Sequence, residues 1–508
     1  MTQKNLILAG FIVLKFLLQY TLVSPDYELH RDEFLHLDQA HHPAWGYLSV
    51  PPFTSWISSI IYFFGNTVFW IRFFPALFGA LTMLVVWKAI EALKGNIFAL
   101  ILGAVAVLFS VLLRLNILYQ PNSLDVLFWT TCYFILLKYI QSGKDKWILF
   151  AAIAFAFGFL NKYNIIFLLI GLLPGILLTE HRKIFTKKAF YASILLGLLL
   201  ILPNLIWQYN RHFPVFHHLK ELADTQLVNV SRWNFLKEQL LYFIGSLFVL
   251  LAATYALLFY PPFKKYRLFF WSLCFTLLVF TYLRAKGYYA IGIYPIYIAF
   301  GTVYLGEILQ SGWKAYLRPI AIVIPLLFFI PMYEVVFPNK SPDHIIHNPK
   351  NYQALGLLRW EDGKDHPLPQ DFADMLGWKE LADKVDILYS GLADQEGTLI
   401  LCDNYGQAGA INYYAKNKKI AAVSFNADYI DWFNLHQEYR HLIRIKNHHE
   451  RDDELRETSP FFEKTEIKDS ITNSFAREYG TIIFFFEKAK IDINKRIKEE
   501  IKEVKSYQ

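Results

Sequence analysis

Residues 5–24, "NLILAGFIVLKFLLQYTLVS", are followed six residues later by 30–42, "HRDEFLHLDQAHH". The first stretch is long enough to cross a bilayer, which takes about 20 mostly apolar residues. The second gathers His30, His36, His41 and His42 with Asp32, Glu33, Asp38 and Arg31. A span that delivers titratable chemistry to a membrane surface sets the expectation for the whole chain. Lys15 and the absence of a small-residue cleavage site read the first span as a retained helix, not a cleaved signal.

Outward from this stretch the pattern repeats. Of 508 residues, 55% are hydrophobic and 18% charged, against about 25% charged in soluble proteins. Apolar runs recur to about residue 337, and polar composition follows. Eleven spans are expected, near 5–23, 69–87, 97–113, 123–141, 147–160, 164–179, 190–207, 237–260, 268–283, 288–306 and 318–337. The segment "PPFTSWISSIIYFFG" (51–65) is too short to span and reads as an interfacial helix or half of a bent hairpin. The division is a transmembrane part, 1–337, with a first outside loop at 24–66 carrying juxtamembrane helices, and a soluble part, 338–508.

With the N-terminus inside, the inner loops are "KAIEALKG", "QSGKDK", "TEHRKIFTKK", "PPFKKYR" and "EILQSGWKAYLR". Each carries Lys or Arg, as the positive-inside rule requires. Asp32 and the soluble part then share the outer side. Net charge of +7 calls for no nucleic-acid partner. Cys132, Cys274 and Cys402 have neither disulfide nor zinc spacing. In the soluble part, "GTLILCD", "KIAAVSF", "HLIRIKN" and "YGTIIFFFEK" read as strands and "GQAGAINYYAKN" as a helix, a small α/β domain. The tail "KIDINKRIKEEIKEVKSYQ" reads as a solvated charged helix.

The outer loops hold the chemistry. Asp32 and Glu33 are adjacent carboxylates, and on a helix His36 shares their face. Behind them "AWGYLSVPPF" supplies Tyr47 and Pro52 as a rigid wall. "RLNILYQPNSLDVLFW" contributes Gln120, Asn122 and Asp125, with helix capping by Asn122 or Ser123 as the alternative role of this loop. "FLNKYN" contributes Lys162. "IWQYNRHFPVFHHLKEL" contributes Arg211, His217 and His218, and "YLRAKGYYAIGIYP" contributes Arg284, Lys286 and Tyr288. Cations in outer loops offend the positive-inside rule; the choices are snorkelling at span ends or binding an anion. Carboxylates and cations on one face suit a lipid-linked sugar phosphate. One carboxylate removes the acceptor proton, cations hold the departing phosphate, and no general acid is needed. Lys286, followed by Gly287 and two tyrosines, leads the candidates for that phosphate, with Lys162, Arg284 and Arg211 beside it.

On "HRDEF" with "HHPAWGYLSVPPF", "LYQPNSLDVLFW", "GFLNKYN", "NLIWQYNRHFPVFHHL", "KGYYAIGIYP", "LPQDFADMLGWKELADKV" and "NYGQAGAINYYAK", the chain resembles the bacterial polyprenyl-phosphate-dependent glycosyltransferases of the GT-C fold, family 39. These are related to protein O-mannosyltransferases and to lipid A aminoarabinose transferases. The resemblance implies an inverting enzyme of the bacterial cytoplasmic membrane with its active site and C-terminal domain in the periplasm. It implies that Asp32 and Glu33 form the active site and that the donor is a polyprenyl-phosphate sugar. The acceptor would be a glycolipid, lipid A, a polysaccharide or a protein. The soluble part does not resemble the β-trefoil of the eukaryotic enzymes, so protein O-mannosylation does not carry over. Asp32, His36 and His217 or His218 are the candidate ligands of a divalent metal ion. A lipid flippase or a non-catalytic envelope assembly subunit is the rival reading; a transporter predicts mid-span charges and an internal repeat, which the sequence lacks.

Overall fold

The computed structural model describes residues 2–507. Every apolar segment read as a span is helical. The order is α1 (Gln3–Tyr20), α2 (Arg31–Asp38), α3 (Phe53–Phe63), α4 (Val68–Ala92), α5 (Ile97–Leu108), α6 (Val111–Leu115), α7 (Pro121–Ser142) and α8 (Lys146–Asn161). Then come α9 (Ile166–Leu177), α10 (Lys188–Asn210), α11 (Pro214–Thr225), α12 (Arg232–Leu241), α13 (Leu247–Phe259), α14 (Arg267–Tyr282), α15 (Tyr294–Ile308) and α16 (Leu317–Val335).

Length departs from the expected eleven spans. Among the described residues five helices are long and apolar enough to cross a membrane, seven if two bent pairs each count as one. The bends are 109° after α9 and 64° between α12 and α13. α5 has only 12 residues, roughly 18 Å of helix against a hydrocarbon core of about 30 Å. Ten of its residues are buried, Phe98–Ala99–Leu100 and Leu102 to Leu108, so it sits inside the bundle. Close helix contacts use small residues: a Cβ on Gly301 of α15 would collide with the Val249 carbonyl oxygen of α13.

The segment 51–65 forms α3, which packs on α2. After α16, short helices α17 (Pro342–His347), α18 (Lys350–Ala354) and α19 (Gln370–Ala373) lead to α20 (Trp378–Ser390). The soluble domain continues β1 (Thr398–Cys402), α21 (Tyr405–Tyr414), β2 (Ala422–Ser424), β3 (His441–Lys446), α22 (Arg451–Thr458), β4 (Phe462–Ser470), β5 (Ile482–Ala489) and α23 (Ile493–Tyr507). Sheet order is β2-β1-β3-β5-β4; β1 runs parallel to β2 and β3, and β5 antiparallel to β3 and β4. The four strands read from the sequence are β1, β2, β3 and β5. β4, "FEKTEIKDS", lies at the sheet edge, where Lys464, Glu466 and Lys468 replace apolar alternation. The charged tail is not wholly solvated. Ile493 and Ile497 of α23 are buried in one cluster with Leu442, Phe484 and Phe486.

Bundle and sheet share a core. One cluster joins Phe34, Leu35 and Leu37 of α2, Phe74 and Phe78 of α4, and Trp378, Ile400, Ala408, Ile411 and Ile443 of the soluble domain. Helix α2 is therefore held from both sides.

Candidate active site

Helix α2 begins with a reciprocal cap. His30 Nδ1 accepts the Asp32 backbone N–H at 3.2 Å, and Glu33 Oε2 accepts the His30 backbone N–H at 2.7 Å. Both carboxylates lie in the first turn, where the helix dipole favours negative charge.

The adjacent pair divides. Glu33 is 0% exposed. Besides the cap, its Oε1 accepts from Arg72 Nη1 at 2.9 Å and from the Tyr119 backbone N–H at 2.7 Å. Arg72 also donates to the carbonyls of Ile117 and Glu28. Glu33 thus ties α2 to α4 and to the loop before α7. Asp32 keeps 35% of its side chain exposed. Burial works against its charge, but His30, Arg31, the Tyr405 hydrogen bond and His36 outweigh it and hold the carboxyl below its ordinary range. It is ionised at neutral pH.

A chain of hydrogen bonds leads from this carboxylate to a cation. Gln120 Nε2 donates to Asp32 Oδ2 at 2.9 Å, and Asn122 Nδ2 donates to Gln120 Oε1 at 2.9 Å. Lys162 Nζ donates to Asn122 Oδ1 at 2.6 Å. Every donor points toward Asp32, so each bond polarises the next. Pro121 at the first position of α7 sets the loop geometry. Lys162 follows α8 and sits 5.1 Å and 4.8 Å over the rings of Tyr288 and Tyr289. Burial, with repulsion from Lys286 and against the pull of Asp125, pushes its pKa down to about 8.

The other expected residues fall around this chain. Asp125 accepts from Asn164 Nδ2 at 2.9 Å and Trp129 Nε1 at 3.2 Å. Tyr288 lies within electrostatic reach of Asp32 and Glu361. Tyr47 is buried, its hydroxyl 2.8 Å from Ser55 Oγ, and Pro52 is buried at the start of α3; they brace α2 and α3. Lys286 Nζ donates to Glu361 Oε1 at 2.6 Å and Gln226 Oε1 at 2.5 Å, so a carboxylate already occupies it. Arg211 is committed to Asp431 at 2.8 Å. Arg284 is exposed, with a left-handed φ of 54°.

The proposed metal ligands are not gathered. Among the described residues no group of three or more His, Cys, Asp or Glu side chains is placed to hold a metal ion. Both Asp32 oxygens already accept hydrogen bonds from protein donors, His36 Nδ1 lies 3.4 Å from Gln39 Oε1, and His218 shares α11 with His217 and Glu221 and feels the charge of Lys286.

Two contributors escaped the sequence reading. His30 carried a signal, since His-x-x-Glu before an apolar run has the spacing of a capping box. Tyr405, whose hydroxyl donates to Asp32 Oδ1 at 2.6 Å, stands in the quoted "NYGQAGAINYYAK", but nothing local links it to a partner 373 positions away.

The chain has the GT-C fold of membrane glycosyltransferases. Two crystal structures of ArnT from Cupriavidus metallidurans match it: the apo state with a TM-score of 0.62 and 13% identity, and the undecaprenyl phosphate complex with 0.60 and 14%. In each, 95% of this chain and 98% of the other are covered. Residues 49–207 match the family model of the dolichyl-phosphate-mannose-protein mannosyltransferases, so the chain resembles that family over the stretch carrying Gln120, Asn122 and Lys162. No curated protein matches.

Proposed function

We propose that the protein is an inverting glycosyltransferase that moves a sugar from a polyprenyl-phosphate donor to an acceptor hydroxyl at the outer membrane surface. The observation that carries the reading is the Lys162–Asn122–Gln120–Asp32 chain, which sets a base and a cation at two ends of one polar path. Asp32 takes the acceptor proton as the acceptor oxygen bonds to the anomeric carbon. The bond from that carbon to the phosphate oxygen breaks in the same displacement. The lipid phosphate leaves as an anion against Lys162, and Lys286 joins by exchanging the Glu361 carboxylate for phosphate. Glu33 acts through structure, by fixing α2.

The fold likeness to ArnT, one of whose structures holds undecaprenyl phosphate, supports a polyprenyl carrier. The basic loops support an orientation with site and soluble domain on the outer side, which in the bacterial cytoplasmic membrane that the resemblance implies is the periplasm. The acceptor is a glycolipid such as lipid A, a polysaccharide or a protein. Mass spectrometry of lipids and glycans from a deletion strain identifies it. A strain complemented with wild type, but not with Asp32→Asn, should regain the missing sugar; unchanged glycans after deletion would overturn the reading.

A further inference from the structure

The soluble domain reaches the reaction centre through one side chain. Tyr405 is the first residue of α21. Asn404 caps this helix by accepting the Gln407 backbone N–H at 3.1 Å, and it donates to Glu478 at 3.2 Å. The Arg31 guanidinium lies 4.6 Å over the Tyr405 ring. Gly406 permits the approach, because a Cβ there would sit 3.1 Å from both Arg31 Cβ and the Trp378 ring. A ring clamped in this way delivers its hydroxyl to a fixed point, 2.6 Å from Asp32 Oδ1.

The second oxygen of Asp32 is held from the bundle, by Gln120 at 2.9 Å. Each carboxylate oxygen has two acceptor sites. One rigid donor on each oxygen, from two different domains, stops rotation of the carboxylate and leaves one site per oxygen for an incoming hydroxyl. The phosphate end needs no such help, since Lys162 is placed by Asn122 and the Tyr288 and Tyr289 rings.

We infer that Tyr405 is a positioning residue through which the soluble domain aims the Asp32 carboxylate at the acceptor hydroxyl. The inference rests on the glycosyl-transfer reading. Tyr405 keeps its proton throughout; the proton that moves goes from the acceptor to Asp32.

The test uses the full chain in liposomes, given a bacterial membrane extract enriched in undecaprenyl-phosphate sugars, with released undecaprenyl phosphate as the readout. Tyr405→Phe keeps the ring and its Arg31 stacking. It should lower kcat about tenfold, with donor KM within about twofold of wild type and Tm unchanged. Tyr413→Phe is the control. It lies on the same helix, and its hydroxyl donates to the Asn66 carbonyl at 2.9 Å; its kcat should be that of wild type. In an Asp32→Asn background, Tyr405→Phe should cost nothing more, because a group acting through Asp32 is not additive with it. A wild-type kcat for Tyr405→Phe, or an undiminished penalty in the Asp32→Asn background, overturns the inference. Those results, obtained alongside an inactive Asp32→Asn, leave the transfer reading standing. An Asp32→Asn enzyme as active as wild type would remove both.

Discussion

Adjacent carboxylates of like charge have opposite surroundings here, and substitutions should separate them. Asp32→Asn removes the base and keeps the shape, so transfer should fall by at least about a hundredfold with Tm near that of wild type. Glu33→Gln leaves Arg72 without its ion partner in a buried site. Breaking such a pair costs about 3–5 kcal/mol, so Tm should drop, and lost activity should track lost folded protein. Parallel activity and melting curves for the two variants check this; a stable, inactive Glu33→Gln would move the catalytic role to Glu33. Lys162 governs pH dependence. Its pKa is pushed down to about 8, and a lysine so shifted loses its charge at lower pH than a free one. Its attraction for phosphate is therefore complete below about 8 and fades as pH rises through that value. The kcat/KM for donor should fall on the alkaline side near pH 8. Lys162→Arg, which keeps its charge, should move that limb to higher pH or abolish it.

At the scale of elements, α2 is set by its contact with α21. Gly409 of α21 faces Phe34; a Cβ there would lie 2.6 Å from Phe34 Cβ and 2.6 Å from the Tyr429 hydroxyl. Gly409→Ala should therefore overpack this seam and cost about 1–3 kcal/mol. The expected readout is faster proteolytic nicking of the soluble domain, with the bundle intact; unchanged nicking would mean that the seam yields without cost. The same seam shows what a sequence can reveal. The apolar helices, the titratable α2 and four strands were legible because hydrophobic pattern is local. β4 was not, since an edge strand that buries little needs no apolar alternation. The length of the spans was not legible either, because α5 is apolar through burial in protein, which composition cannot tell from contact with lipid. Asp32, Gln120 and Lys162 were legible as polar residues in outer loops. The engagement of Lys286 by Glu361, of Arg211 by Asp431 and of Asp32 by Tyr405 required the fold, since each partner is distant in the chain.

The whole molecule makes a statement about sidedness. Asp32 and Tyr405 touch, so the first loop and the soluble domain must face the same compartment, and the positive-inside rule predicts "HRKIFTKK" on the other. In a background lacking Cys132, Cys274 and Cys402, a cysteine at Ser341 should react with an impermeant thiol reagent on intact cells, and one at Thr186 should not. The reverse pattern would invert the orientation. The core shared by α2, α4 and the sheet also sets an order of events during synthesis. Asp32 leaves the ribosome early, whereas the tyrosine that aims it is made 373 residues later. On the proposed reading a nascent chain thus exposes its carboxylate at the membrane surface well before that carboxylate is aimed. On that reading full activity arrives only when the last third of the polypeptide has folded back onto its beginning, so an unfinished or truncated chain should transfer sugar more slowly than the finished one.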